Sequence, residues 1–270
     1  MITTYFKLQV KSSGQYLNIS GGGNTNGTTA CQGNTPTTNN FLWKLIDAPG
    51  NPGWYLIQVE SSGQYLNIFN GGNTNGTVAC QGNTPTTDNF LWKPTNAPKN
   101  PGYCFFQVKS SGQYLNIFNG GNANGTVACQ GNTPTTDNFL WKILFVDATP
   151  VTHTVTVSAT VANPFPPSIS DEEGHNANTA AGDAAMTTLV GPGDVVTWQK
   201  GGNISSLDNI FEPVGTDLFI VDPSAENNGT WVGIIGSLPS GAEEAYSITY
   251  KIGGTTYTQD PRLRMQPKTK

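Results

Sequence analysis

The sequence predicts an all-β protein in two domains: a barrel closed by three copies of one unit, then a β-sandwich. Three observations predict it. The phrase Ser-Ser-Gly-Gln-Tyr-Leu-Asn-Ile stands at 12–19, 61–68 and 110–117, which places Tyr16, Tyr65 and Tyr114 49 residues apart each time. Charged residues are only 11% of the chain. Gly, Asn, Thr and Ser supply the polarity instead, the composition of short strands joined by tight turns. Near residue 150 the repeat stops and the charge changes sign, from a net +2 over residues 1–150 to a net −7 over residues 151–270. The expected domains are therefore 1–146 and 153–270, with 147–152 as linker.

Each copy supplies four short strands. Tyr-Phe-Lys-Leu-Gln-Val, Trp-Tyr-Leu-Ile-Gln-Val and Cys-Phe-Phe-Gln-Val open the copies with β-branched and aromatic residues. Gly-Gln-Tyr-Leu-Asn-Ile follows a Ser-Ser-Gly turn. Asn-Gly, a strong hairpin dipeptide, introduces Ala-Cys. Asn-Phe-Leu-Trp-Lys closes the unit after a Thr-Pro-Thr-Thr loop. Residues 61–93 and 110–142 differ only at Thr74, which is Ala123 in the later copy. Residues 12–44 differ from 61–93 at four positions: Ser20 for Phe69, Gly21 for Asn70, Thr29 for Val78 and Asn39 for Asp88. A propeller needs about four to eight blades to close. Three units of four strands suit a β-trefoil, a six-stranded barrel capped by three hairpins. Trp43, Trp92 and Trp141 are expected in its core, with Leu17, Leu66, Leu115, Ile19, Ile68 and Ile117.

The succession Gly-x-Tyr-Leu-Asn-Ile, then Gly-Gly-Asn-x-Asn-Gly-Thr, then Asn-Phe-Leu-Trp resembles the repeats of the ricin B-type β-trefoil lectins over about residues 1–146. The resemblance implies a shallow sugar pocket in each copy, with an acidic residue after the second strand and an Asn before the closing strand. Those positions fall on Asn18, Asn67 and Asn116 and on Asn40, Asn89 and Asn138. Asp88 and Asp137 stand beside the last two, with Asn39 in the first copy. The Gln of the family's Gln-x-Trp falls on Phe41, Phe90 and Phe139. Asn and Asp match paired sugar hydroxyls by two-point contacts, and an aromatic ring packs on the C–H face of a pyranose. Phe69 and Phe118, or the Phe90 and Phe139 set, can present that face. The resemblance implies galactose or N-acetylgalactosamine-type glycans as partners, and no cofactor or metal.

Cys31, Cys80 and Cys129 occupy one threefold-related position and are expected as buried thiols apart from one another, as is Cys104 in its strand. Asn26-Gly-Thr, Asn75-Gly-Thr and Asn124-Gly-Thr are read as turns rather than glycan acceptors. Met1–Tyr5 lacks the charged and apolar regions of a signal peptide. Cytoplasmic synthesis is therefore expected, with a non-classical release route left open. No stretch approaches about 18 consecutive apolar residues, so no membrane span is expected. No basic stripe points to nucleic acid.

After residue 150, alternating segments such as His-Thr-Val-Thr-Val-Ser-Ala and Ser-Ile-Thr-Tyr-Lys-Ile predict a sandwich. Gly-Asp-Val-Val-Thr-Trp resembles a cupredoxin strand, but the copper ligands are missing: this domain has no Cys and only His153 and His175. Asp171-Glu172-Glu173 is expected as a solvated loop. A Ser-His-Asp arrangement would have to be built on His153, at a strand start beside the linker, or on His175, in a polar loop. The adjacent carboxyl pairs point apart in extended chain, so no enzyme activity is expected. Two functions remain. One is an agglutinin-like lectin with up to three sites, made multivalent by a C-terminal domain that forms a homodimer or docks a partner. The other is a structural trefoil without sugar sites that binds proteins, as in the fascin-like branch. A third reading makes the chain the targeting half of a toxin system, with the sandwich as the effector attachment.

Overall fold

The computed structural model describes residues 4–211 and 216–266. The chain divides into two compact units: Met1–Ala97 with Tyr103–Asp147, and Ala148–Lys270 with Pro98–Gly102.

In the first unit the repeat becomes twelve strands among the described residues. Copy one forms β1 (Phe6–Val10), β2 (Tyr16–Ile19), β3 (Ala30–Gly33) and β4 (Trp43–Asp47). Copy two forms β5 (Tyr55–Val59), β6 (Tyr65–Ile68), β7 (Ala79–Gly82) and β8 (Leu91–Asn96). Copy three forms β9 (Cys104–Val108), β10 (Tyr114–Ile117), β11 (Ala128–Gly131) and β12 (Trp141–Phe145). Strands β1, β4, β5, β8, β9 and β12 pair in that order, and β12 returns to β1 along Phe6↔Phe145 to Val10↔Trp141, so the barrel closes. Closure removes sheet edges, which would otherwise invite pairing with other chains. The hairpins β2–β3, β6–β7 and β10–β11 form the cap and touch each other through the bridges Thr29↔Cys80, Val78↔Cys129 and Cys31↔Val127.

The core follows the expectation. Trp43, Trp92 and Trp141 are fully buried. Each indole donates its Nε1–H to the carbonyl of the matching leucine, Leu17, Leu66 or Leu115, at 2.9–3.0 Å. A buried indole needs such a partner to offset its desolvation. Cys31, Cys80, Cys104 and Cys129 are free and buried. Burial pushes the Cys80 and Cys129 thiols up to about 11, even though Asn67 and Asn116 favour the thiolate by hydrogen bonding.

The second unit begins with β13 (Thr152–Ala159), β14 (Ser168–Ser170) and β15 (Asn176–Ala177), then helix α1 (Ala180–Ala185) and β16 (Thr187–Val190). Strands β17 (Val195–Gly202), β18 (Ser206–Phe211), β19 (Phe219–Ala225) and β20 (Trp231–Ile235) follow. It ends in β21 (Glu243–Ala245), β22 (Ser247–Ile252), β23 (Thr255–Gln259) and β24 (Arg262–Met265). These build one six-stranded sheet, β15-β14-β13-β17-β20-β19, and two three-stranded sheets, β16-β24-β21 and β18-β22-β23. All three contribute to one apolar core that includes Val155, Trp198, Leu207, Tyr250 and Leu263.

In the acidic run Glu172 and Glu173 are exposed in a turn, as expected, but Asp171 is buried, and two of the three carboxylates bind histidines. Glu172 reaches His153 Nδ1 at 2.6 Å, and Asp194 reaches its Nε2 at 2.9 Å. Burial of His153 acts to lower its pKa, but the two carboxylates outweigh burial and hold it above the ordinary value. Asp171, buried, accepts from His175 Nδ1 and the Thr188 hydroxyl at 2.8 and 3.0 Å. Sequence reading missed the His153 pairings because Glu172 and Asp194 lie 19 and 41 residues away, whereas Asp171 and His175 share one turn.

Asp183 is different: it is fully buried in α1, and neither carboxyl oxygen has a hydrogen-bond partner. Burial without a donor disfavours the anion and pushes its pKa up to about 6. A carboxyl raised on folding stabilises the fold most below its unfolded pKa, and that stability falls as pH rises from about 4 to about 6. Asp183→Asn should therefore raise the melting temperature at pH 7.5 and lose that advantage near pH 4. A variant that melts lower than wild type at pH 7.5 would contradict this account.

Candidate functional site

Two cavities of the first unit are each assembled by all three copies. The cavity of copy two, about 490 Å³, is lined by Asn67, Phe69, Asp88 and Asn89 of its own copy, by Asn26 and Gly27 of copy one and by Ser110 of copy three. The cavity of copy one, about 660 Å³, has Asn18, Ser20, Asn39 and Asn40, closed by Asn124 and Gly125 of copy three and Ser61 of copy two. The larger volume accompanies the smaller side chain, Ser20 in place of Phe69. Gly27 matters to the copy-two junction: its φ is +87°, and a Cβ there would stand 4.0 Å from the Phe69 ring. The positive φ is what favours glycine in this turn, since a Cβ at that distance would only touch the ring.

What brings the copies together is a buried glutamine in each Ala-Cys-Gln-Gly phrase. Gln81, fully buried, donates from Nε2 to the carbonyls of Gly23 and Thr25 at 2.7 and 3.1 Å and accepts the Ser62 hydroxyl at 2.7 Å. Gln130 does the same to Gly72 and Thr74, and Gln32 to Gly121 and Ala123. The backbone repeats the sense: Gly27, Gly76 and Gly125 donate their N–H to the carbonyls of Gln81, Gln130 and Gln32 at 2.8 Å. Asn26, Asn75 and Asn124 accept from the N–H of Asn83, Asn132 and Asn34 at 3.2 Å. Every copy grips the hairpin turn of the preceding one, in a closed ring.

The predicted site residues divide into two groups. Asn18, Asn67 and Asn116 are buried at the cavity floor. Each donates to the carbonyls of the cysteine and tyrosine beside it, and its Oδ1 accepts from the neighbouring amide and the thiol. Asn40, Asn89 and Asn138 donate to the carbonyls of Ile19, Ile68 and Ile117 at 2.9 Å, and each Oδ1 takes one bond from a threonine hydroxyl. This corrects the expectation that the six amides are two-point sugar contacts. The first set has its hydrogen-bonding capacity turned inward, and the second keeps one oxygen lone pair. Phe41, Phe90 and Phe139 are buried as well, and a Cβ on Gly82 would meet the Phe90 ring at 2.8 Å. They are wall, not stacking surface.

The second group is open to solvent. Phe69 and Phe118 are 45% and 44% exposed. Asp88 and Asp137 are exposed too, each 3.1 Å from a lysine of another copy, Lys109 and Lys11 respectively. Glu60 holds the position of those lysines: its N–H donates to Leu42 as theirs donate to Leu91 and Leu140. Where that position is Lys, the loop residue is Asp; where it is Glu60, the loop residue is Asn39. A carboxylate at 39 would face another carboxylate. Sequence reading missed both this pairing and the glutamine ring, although each left a signal within the chain.

The model of the ricin-type β-trefoil lectin domain-like family matches residues 2–82 and again 48–131, one repeat further on. Both matches fall within the N-terminal unit, which is a β-trefoil similar to that family's domains. Among solved structures, the designed threefold-symmetric protein ThreeFoil is similar to it at 24% identity and a TM-score of 0.50, over 53% of this chain and 99% of that one. The exo-β-1,3-galactanase 1,3Gal43A from Clostridium thermocellum is similar at 24% identity and a TM-score of 0.51, over 54% of this chain and 31% of that one. Identities this low establish the fold alone. No curated protein matches the chain.

The charge pairing is tested by a double-mutant cycle in which Asn39→Asp and Glu60→Lys are made singly and together. Partly exposed ion pairs contribute about 0–1 kcal/mol. The cycle should give a stabilising coupling of about 0.5 kcal/mol in urea unfolding that fades in high salt. Zero coupling at low salt would mean that position 60 does not face position 39.

Proposed function

We propose that the N-terminal domain is a carbohydrate-binding module with one sugar pocket at each of its three junctions, and that it acts as a lectin rather than an enzyme. The observation that carries this reading is the pairing, in the copy-two cavity, of an exposed aromatic ring with fixed acceptors. Phe69 offers an apolar plane for a pyranose C–H face. Asp88, oriented by Lys109, offers two acceptor oxygens, and Asn89 keeps one lone pair above the floor. Asn67 acts one layer deeper, by fixing Asn89. Copy three repeats the residues as Phe118, Asp137, Asn138 and Asn116. Copy one has Ser20 and Asn39 in place of the ring and the carboxylate, so its pocket is the weak one. By family resemblance the sugar is of the galactose or N-acetylgalactosamine type. The C-terminal domain is proposed to dimerise the chain, because a weak site gains by multiplied attachment, about 10²–10⁴ in avidity.

Calorimetry with the best monosaccharide from a glycan array should give two comparable sites and one weaker by about tenfold, the worth of a lost hydrogen bond to a charged group. Asp88→Asn with Asp137→Asn should bring the strong sites down to the first. Sedimentation of the same protein should give a dimer, against a monomer for a chain ending at Pro150. Three equal sites would make Phe69 and Asp88 scaffold. No heat with any glycan would leave a trefoil that binds protein.

A further inference from the structure

We propose that the pocket of copy two continues into a second subsite that takes the next residue of an oligosaccharide, so that this copy alone reads glycans of two or more sugars. The inference rests on the sugar reading of the junctional pocket. A separate cavity of about 310 Å³ lies on the other side of the copy-two loop, at the low end of volumes that hold small ligands. Thr87 and Asp88 line both cavities, so one thin wall divides them. A glycan seated against Phe69 would cross that wall to reach the second space.

The chemistry of the second cavity suits a sugar ring. Its floor is apolar, made by Ala48, Leu56 and Leu91 of one small buried cluster. Its rim is polar, with Asn51, Thr86 and Asp88. Lys109 Nζ ties the rim together, 2.7 Å from Asn51 Oδ1 and 3.1 Å from Asp88 Oδ1. These two bonds use two of the three ammonium N–H donors and leave one for a hydroxyl. An apolar floor below a ring of donors and acceptors complements a pyranose, which carries a C–H face and a polar edge.

The other copies share the loop, and copy three keeps Ala97 and Leu140 at the positions of Ala48 and Leu91, but the position of Leu56 differs in each. The Thr-Pro-Thr-Thr stretch is the same in all three copies, whereas the position of Leu56 is Lys7 in copy one and Phe105 in copy three. The Phe105 ring packs edge-on against Tyr114, with centroids 5.7 Å apart. Copy two therefore differs on the side that the repeat left free to vary.

The test uses the full chain on an array of mono-, di- and trisaccharides with a common terminal sugar, followed by calorimetry on the best pair. The wild type should bind the longer glycan at one site about tenfold more tightly than the monosaccharide. Thr86→Trp fills the second cavity from its exposed rim. It should abolish that gain while leaving monosaccharide affinity and melting temperature unchanged. Thr37→Trp and Thr135→Trp, at the equivalent positions, should keep the gain. Asn51→Ala should reduce it and supplies the same test should Thr86→Trp fail to fold. A gain that survives Thr86→Trp, or one absent from the wild type, overturns the subsite while the sugar site stands. Failure to bind any glycan overturns both.

Discussion

The structure of the first domain depends on three buried side-chain amides. Gln32, Gln81 and Gln130 each hold two carbonyls of another copy's turn, and each is in turn held by a serine of its own copy. An amide with no exposure must have its donors and acceptor satisfied, or the fold loses about 1–3 kcal/mol for each group left unpaired. The ring meets that demand only if every copy presents the same turn to its neighbour. This gives a physical reason for loops that match almost letter for letter. Connectors drift, but these turns are interfaces between copies, and a change that moved their backbone carbonyls would leave a neighbour's glutamine without a partner.

The cavities follow from that ring. Because each turn is gripped by a neighbour, Asn26 and Gly27 reach the cavity of copy two, and Asn124 and Gly125 that of copy one. The floor amides then finish the wall from inside. Variation is left to the outer layer, where Ser20 and Asn39 set copy one apart, and where Glu60 and Leu56 set copy two apart from Lys11 and Lys109 and from Lys7 and Phe105. A threefold scaffold thus carries unlike pockets in copies one and two.

The fold was largely legible because barrel closure depends on features with a fixed period: strand patterns, the Asn-Gly turns and the tryptophans. The site was less so. Asn67 and Asn89 were visible as positions, but whether an amide faces a ligand or a backbone carbonyl depends on neighbours 13 to 22 residues away. In sequence Gln81 is a single polar residue between Cys80 and Gly82, and the carbonyls it holds belong to another copy. Lys109 with Asp88 was readable in principle, through the exchange to Glu60 with Asn39. In the second domain the long strands were plain and the short ones, β14, β15 and β21, were not. The roles of His153 and Asp171 came only with the tertiary contacts.

The central claim is that each pocket is a junction held by its own glutamine, and native-state hydrogen exchange on Gln81→Ala tests it most directly. The Gly27 N–H donates to the Gln81 carbonyl and lies in the turn that Gln81 grips. The account predicts that the variant stays folded but loses stability. Exchange at Gly27 should rise by about tenfold or more, the effect of about 1.4 kcal/mol on local opening, with Gly76 and Gly125 close to their wild-type rates once the global loss is subtracted. Equal loosening at all three turns, or none at Gly27, would contradict it.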